Sequence, residues 1–247
     1  MSTESQKPRT DSFAADTIDS ASPSVERVVE VALRNFARLG FDETRLDVIS
    51  TESGMSKRMI HYHFGDKEGL YVRALQLAIA QLRPEAEEWD ASITIPADAI
   101  TNLVEVIYKR MARHPDAVRL VNLENLFGHA KMLTSAPLAD QSSILLHLNR
   151  VLMLGQDAGA FRPGISALDV YAIISSLCMF RVTNRATFTN LYGTDMGSLT
   201  NEDGMERLVV DAVLAFLTAN IRTPHGTSYM VGNFFEDDQS SIGDIYR

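Results

Sequence analysis

Apolar residues recur at helical spacing along most of the chain, and no run of strand-like alternation bounded by hairpin turns is evident. A stripe with apolar residues three and four positions apart begins at Val25, and it predicts an amphipathic first helix that ends at Gly40. A second, short helix is predicted over 46–53, and Gly54 ends it. The predicted fold class is all-α.

Signals for further helices follow this pair. Ser56 can cap a helix over 57–63, and Asp66 offers the N-cap of a long helix that we expect to reach the neighbourhood of Trp89. Prolines and a serine then mark helix starts, and glycines mark helix ends. The later helices are predicted at about 98–113, 116–129, 138–157, 167–191 and 202–221. Asn184 is a candidate break in the longest of them.

The two ends of the chain differ in composition from the middle. Residues 1–23 are rich in Ser, Thr and Asp, so they cannot bury enough surface to offset the entropy lost on ordering. Residues 223–247 contain Gly, Ser and an acidic run. We therefore expect a tail at each end, a small domain over 24–75 and a larger helical domain over 76–222.

The cellular setting is suggested by two features. The longest nearly apolar run, 170–180, is much shorter than the roughly 20 residues that cross a bilayer, and no secretory signal is visible. The one cysteine, Cys178, cannot form an intrachain disulfide and lies in the most apolar helix, where a thiolate is disfavoured. A reducing, cytoplasmic location without a membrane partner is the simplest expectation.

The charge distribution bears on nucleic-acid binding. The net charge of -9 opposes approach to phosphates at long range. Residues 24–73, however, contain eight Lys or Arg and eight Asp or Glu, so this segment is neutral and the excess acid lies elsewhere. Within it, basic and aromatic side chains interleave over 57–67, a pattern that is typical of contact with DNA.

The helices over 46–53 and 57–63 have the spacing of a helix-turn-helix, which needs a tight turn and a polar outer face on the second helix. Gly54 supplies the turn, where a positive φ is tolerated. The backbone N–H groups at the start of the helix over 46–53, where Thr44 and Arg45 lie, favour binding of a phosphate. The predicted DNA contacts are Thr44, Arg45, Ser56, Lys57, Arg58, Met59, His61, Tyr62, His63 and Lys67.

Residues within and around this motif form a more specific pattern. They are Phe36, Leu39, Gly40, Phe41, Thr44, Ile49, Gly54, Met55, Ser56, Phe64, Asp66, Lys67, Glu68 and Leu70. In this pattern, 24–75 resembles the DNA-binding domain of the tetracycline-repressor (TetR) family. The resemblance implies a repressor that binds palindromic operator DNA as a homodimer, uses no cofactor and is released by a small-molecule effector. His61 stands where the family usually has a tyrosine that touches the DNA backbone.

The last predicted helix carries two apolar stripes, and the helix over 167–183 is apolar on nearly every side. A four-helix interface, with two helices from each subunit, would bury these surfaces, and TetR-like regulators dimerise in this way. The alternative is that both stripes pack inside one subunit. The predicted interface residues are Leu208, Val209, Ala212, Val213 and Phe216.

Polar and aromatic residues within otherwise apolar helices are typical of a small-molecule pocket. The candidates are Arg119, Asn125, Phe180, Arg181, Asn184 and Phe188. Either arginine can bind an anionic group through two hydrogen bonds. Each candidate also has a structural interpretation, with Phe in a core, Arg in an ion pair and Asn as a helix cap. Glu124 is close enough in sequence to neutralise Arg119.

Two other functions are compatible with an all-α chain, an enzyme and a helical interaction module that binds neither ligand nor DNA. The six histidines are scattered, no HExxH spacing appears and no glycine-rich phosphate loop precedes a helix. His61 and His63 are two residues apart and point to nearly opposite sides of a helix, so they cannot readily bind one metal ion. The basic surface over 57–67 argues against the interaction module.

Overall fold

The computed structural model of the chain describes residues 24–84, 88–89, 94–132, 142–221 and 228–230. These residues form ten α-helices and no β-strand, which confirms the all-α class. The helices are α1 (Val25–Glu43), α2 (Leu46–Ser53), α3 (Lys57–Phe64), α4 (Lys67–Leu82), α5 (Pro96–Arg113), α6 (Pro115–Phe127), α7 (Ser142–Asp157), α8 (Ala167–Thr183), α9 (Arg185–Tyr192) and α10 (Leu199–Thr218). The predicted tail over 1–23 lies outside the described residues.

The first four helices share one hydrophobic core. Its centre is an aromatic pair, in which the ring of Phe36 on α1 meets the ring of Tyr71 on α4 edge-on, with centroids 5.0 Å apart. Ile49 and Ile60 attach α2 and α3 to the same core. The core is completed by two residues of α6, Ala117 and Leu120, so the N-terminal helices pack directly on a helix of the C-terminal half.

A second core lies between α5, α7, α8 and α10. Val104, Leu148, Ile174 and Val213 are fully buried in it, one from each helix. Val118 of α6 belongs to this core as well, although its neighbours Ala117 and Leu120 belong to the first one. Different faces of α6 therefore contact the two cores, so a displacement of α6 would change the packing of both.

Two predicted helix ends differ from the structure. The backbone of α1 leaves helical geometry at Gly40 (φ 78°, ψ 176°), as predicted, and then resumes for a last turn that ends at Glu43. The prediction that α4 continues to the region of Trp89 is wrong, because α4 ends at Leu82. Arg83 is extended (φ -75°, ψ 127°) because it precedes a proline, whose ring disfavours helical backbone at the residue before it.

The later helices confirm most of the predicted pattern. The predicted helix over 167–191 is two helices, and the candidate break at Asn184 is where α8 ends and α9 begins. The last helix begins three residues earlier than predicted and ends three earlier, at Thr218. The predicted start of the helix over 138–157 lies outside the described residues. Among the described helices, none is long and apolar enough to span a membrane.

A short piece of the predicted C-terminal tail, 228–230, lies against the start of α8. The buried carboxylate of Asp169 accepts hydrogen bonds from the Ser228 hydroxyl at 2.8 Å and from the Met230 backbone N–H at 3.0 Å. Asp169 also forms a capping box with Ser166, because each side chain accepts from the other residue's backbone N–H. One carboxylate therefore holds the helix start and this segment together.

Candidate nucleic-acid interface and regulatory site

The turn between α2 and α3 is set by local chemistry. Gly54 is left-handed (φ 78°, ψ 0°), and its N–H donates to the Ser50 carbonyl, which ends α2. The Ser56 hydroxyl accepts a hydrogen bond from the Met59 N–H at 3.3 Å, which caps α3 as predicted. Ile60 is the one fully buried residue of α3, and Phe64 at its end also packs against the first core, so the other side chains of the helix face outward.

This outward surface, which we call the α3 face, contains most of the predicted DNA contacts. All of its members are exposed, and Tyr62 is 79% exposed. They are Ser56, Lys57, Arg58, Met59, His61, Tyr62 and His63. A short helix held by apolar residues on one side, with an exposed and partly basic opposite side, has the shape that enters a major groove.

The basic residues near the α3 face are held to different degrees. Lys57 forms an ion pair with Asp47 of α2. Lys67, at the start of α4, donates to the Asp42 carbonyl at 3.0 Å and lies 4.7 Å from the centre of the Phe41 ring. Arg58 makes no ion pair or hydrogen bond within the described part of the chain. Its guanidinium is the cation of this group most available to a phosphate.

His61 has a specific role at the end of α3. Its Nδ1 atom lies 2.8 Å from the carbonyl oxygen of Gly65. Because a carbonyl only accepts, Nδ1 is the donor, and the Nε2 atom of the neutral ring is then an acceptor. His61 can therefore donate to a phosphate from Nε2 only when both ring nitrogens carry protons. The tyrosine that the tetracycline-repressor family usually has here carries a hydroxyl that donates without such a change.

The side chain of Thr44 is 1% exposed, so the phosphate contact predicted at this position can come only from the backbone N–H. Its hydroxyl donates to the carbonyls of Gly40 at 2.7 Å and Asn35 at 3.2 Å, so it ends α1 instead of facing DNA. Arg45 next to it is exposed and stands at the N-cap of α2. Of this pair, only the arginine side chain is available to a phosphate.

One residue that fixes the interface was not predicted. Asn35 of α1 is buried, and its amide donates to the Glu52 carboxylate at 2.8 Å and to the Val31 carbonyl at 3.0 Å. Its side-chain oxygen accepts from Arg38 at 3.3 Å. This amide fixes α2 against α1. The sequence feature that could have indicated it is a polar residue directly beside the apolar stripe of α1.

A buried carboxylate connects the N-terminal helices to α6. Glu124 of α6 accepts from the Tyr71 hydroxyl and from the Ala130 N–H. Burial and the neighbouring Glu124 charge raise the pKa of Tyr71 well above its usual value. The expectation that Glu124 neutralises Arg119 is wrong, because Arg119 is paired with Asp116 at 3.1 Å.

Two of the predicted effector residues line the same cleft. Arg119 of α6 and Arg181 of α8 line one cleft of about 250 Å³. Arg181 is buried, whereas Arg119 is exposed at the rim. Their 62-residue separation in the chain explains why the sequence could propose each arginine but not their convergence.

The other four predicted effector residues do not line this cleft. Asn125 is exposed in the last turn of α6. Phe180 is 43% exposed and meets Phe188 edge-on, with centroids 6.3 Å apart. Asn184 joins α8 to α9, and its amide donates to the Thr183 hydroxyl. Asn184 thus occupies a cap position between the two helices, but its side chain makes no capping hydrogen bond.

The predicted dimer residues divide between two sides of α10. Val209 and Val213 are buried in the chain's own second core, so their prediction as interface residues is wrong. The alternative interpretation, packing inside one subunit, holds for that stripe. Leu208 is 58% exposed, and Ala212 and Phe216 are partly exposed. An outward apolar surface on α10 consequently remains, with Leu208 as its main residue.

The all-helical fold, the tight turn at Gly54 and the exposed α3 face together define a helix-turn-helix DNA-binding protein. Residues 28–74 match the family of bacterial regulatory proteins called tetR, and 96–213 match the tetracyclin repressor-like C-terminal domain. The chain belongs to the tetR family of transcriptional regulators. It is accordingly a DNA-binding regulator, which sets aside the enzyme and the interaction module.

Individual relatives agree with this assignment. The HTH-type transcriptional repressor NicS of Pseudomonas putida is 30% identical over 172 residues, which cover 69% of this chain and 81% of NicS. The HTH-type transcriptional repressor SCO4008 of Streptomyces coelicolor is 26% identical over 161 residues, 63% of this chain and 77% of that protein. A tetR-family regulatory protein from Rhodococcus RHA1 shares the fold, with a TM-score of 0.57 and 20% identity over 78% of this chain and 95% of that one.

Proposed function

We propose that this protein represses transcription in the cytoplasm by binding a palindromic operator as a homodimer, and that a small molecule in its C-terminal domain weakens this binding. The observation that carries the proposal is the α3 face, an exposed and partly basic helix surface anchored at Ile60. The names of NicS and SCO4008, both repressors, favour repression over activation.

Dimerisation is supported by apolar surface on two helices that pack together. Leu208 on α10 is 58% exposed, and Phe180 on α8 is 43% exposed. Two copies of such a surface form a self-complementary interface, because the same patch meets itself across a two-fold axis. The same axis relates the two α3 faces of a dimer. They can then bind two major grooves that are separated by one helical turn of DNA, about 34 Å, or by a multiple of it.

Control by a ligand needs a contact that differs between the DNA-binding state and the ligand-bound state. Arg119 offers one, because it lines two clefts. One cleft is shared with Arg181, and the other lies between α6 and the DNA-binding helices, where Asn35 and Glu52 also line it. A ligand that draws Arg119 toward Arg181 weakens the Arg119–Asp116 pair beside α1, and α6 carries the change to both cores.

The test begins with selection of genomic fragments that the full-length protein binds. The affinity for a selected fragment is then measured over a salt series for the wild type, Arg58→Ala and the control Arg150→Ala. Arg150 is also an exposed arginine, but it lies on α7. Loss of one phosphate contact lowers the slope of log K against log salt by about 0.9.

We expect that decrease for Arg58→Ala alone. Equal affinities and equal salt slopes for all three proteins would contradict the proposal that the α3 face contacts the operator.

A further inference from the structure

Ends of five helices and a connecting loop meet around one arginine-rich cleft. We call it the arginine cleft and define it by the residues that line it. They are Ala112, Pro115, Arg119, Arg181, Val182, Arg185, Gly197 and Glu202. Two of these arginines already have a close carboxylate partner, because Arg119 is paired with Asp116 and Arg185 with Asp195, whereas Arg181 has no carboxylate oxygen of the described residues closer than 3.7 Å.

Arg181 is the central cation of the arginine cleft. It is 8% exposed, and its guanidinium lies 4.9 Å from the centre of the Tyr108 ring. Its closest carboxylate oxygen, from Glu202, is 3.7 Å away, which is longer than a hydrogen bond. Within the described residues its five N–H donors make no hydrogen bond to the protein. A largely buried cation that lines an open cleft and makes no hydrogen bond to the described residues has donors available for an anionic acceptor in that cleft.

Arg185 lines the arginine cleft, and hydrogen bonds within the protein already hold its side chain in place. Its guanidinium donates two hydrogen bonds to Asp195, at 2.7 and 2.6 Å. The same carboxylate accepts from the Gly197 N–H at 2.9 Å. A Cβ added at Gly197 would lie 2.8 Å from Nε of Arg185, so the absence of a side chain lets the guanidinium lie against the backbone.

We propose that the arginine cleft binds one small carboxylate anion, which accepts hydrogen bonds from Arg181 and from Arg119 at the rim. The cleft, at about 250 Å³, is below the roughly 300–1,000 Å³ of pockets for drug-sized ligands, so the anion has one ring or a short carbon chain. Ala112, Pro115 and Val182 provide apolar walls for that carbon skeleton. Glu202 in the same lining repels a phosphate dianion more strongly than a monocarboxylate. The regulatory meaning of this site rests on the proposed function.

The experiment is isothermal titration of the full-length protein, without DNA, with benzoate, butyrate and inorganic phosphate, and with benzamide as the neutral analogue of benzoate. We expect one benzoate or butyrate per chain, and no binding of benzamide. Removal of a charge-assisted hydrogen bond weakens binding by about tenfold or more, so Arg181→Met and Arg119→Gln should both show that loss. The control Arg150→Met should keep the wild-type Kd.

Because Arg181 is buried, its replacement can also disturb folding, and a gentler variant is needed. Gly197→Ala keeps every charge but displaces the Arg185 guanidinium, so weaker carboxylate binding by a folded Gly197→Ala protein supports the site directly. The proposal is overturned if neither carboxylate binds the wild type, if phosphate binds and they do not, or if Arg119→Gln and Gly197→Ala bind as the wild type does.

Operator affinity, measured separately with and without benzoate or butyrate, distinguishes this inference from the proposed function. If carboxylates bind the cleft without changing operator affinity, the anion site stands and its regulatory role fails. If a neutral compound releases the operator while no carboxylate binds, the cleft proposal fails and ligand-controlled repression stands.

Discussion

The hydroxyl of Tyr71 donates a hydrogen bond to the carboxylate of Glu124 at 3.2 Å, and the two residues are 1% and 3% exposed. Tyr71 belongs to α4 of the DNA-binding helices, and Glu124 belongs to α6. The same carboxylate accepts from the Ala130 N–H, at 3.0 and 3.1 Å to its two oxygens. A buried charge thus depends on donors from both halves of the chain, which fixes the orientation of α4 on α6.

Tyr71→Phe should lower the free energy of unfolding by about 1–3 kcal/mol, because it leaves a buried carboxylate without one of its donors. Urea denaturation followed by circular dichroism measures the change. Tyr62→Phe is the matched control, since Tyr62 is 79% exposed and its hydroxyl makes no such buried bond, so we expect a change within about 0.5 kcal/mol. Equal stabilities of the two variants would show that the Tyr71 bond contributes nothing.

Asp47→Asn should tighten operator binding and steepen its salt dependence. The hydrogen bond and charge of Lys57 lower the pKa of Asp47, so this carboxylate is ionised at neutral pH next to the α3 face. Its neutralisation removes a repulsive charge and frees Lys57, which adds about 0.9 to the salt slope if one phosphate contact is gained.

Asp157→Asn, at the exposed end of α7, is the control with the same charge change. If both variants bind the operator equally well, the ion pair between Asp47 and Lys57 has no bearing on recognition.

Leu208→Asp should give a folded monomer, whereas Val209→Asp should give an unfolded protein. The neighbours differ because Leu208 points outward at 58% exposure and Val209 is buried in the second core, where an unpaired charge is strongly destabilising. Sedimentation at micromolar concentration, together with circular dichroism, separates the two results. Leu126→Asp, on an exposed leucine of α6, should remain dimeric. A dimeric Leu208→Asp protein would contradict the proposed interface.

Asp169→Asn should destabilise the protein by an amount that depends on pH. Burial acts to raise the pKa of Asp169, but hydrogen bonds from Ser166, Ser228 and Met230 outweigh it and lower the pKa below the ordinary 3.8. A depressed folded pKa stabilises the fold fully above the unfolded pKa, and this contribution is lost as the pH falls through the folded pKa.

The stability difference from the wild type should therefore be constant between about pH 5 and 7 and shrink below about pH 4. Ser228→Ala removes one donor and should show a smaller difference with the same trend. A difference that does not change down to pH 3 would contradict this assignment to the carboxylate.

Local chemistry made the helix-turn-helix predictable from the sequence. Ser56, Asp66 and Gly54 act on backbone groups within a few residues of themselves, so their capping roles follow from their positions in the chain. The α3 face was predictable for the same reason, because Ile60 and Phe64, four positions apart, turn one side of the helix inward. The break at Asn184 was marked in the sequence too.

Tertiary packing determined the remaining features of the site, because it brings together residues that are far apart in the sequence, and the hydrophobic periodicity carries no information on such pairs. The stripes on α10 looked alike in sequence, and only the neighbouring helices determine that Val209 faces the core and Leu208 faces outward. The sequence also did not show that the Thr44 hydroxyl is buried, where it donates to the carbonyls of Asn35 and Gly40 on α1. Arg119 and Arg181 line one cleft because α6 and α8 pack together, a result of long-range burial and not of local backbone preference.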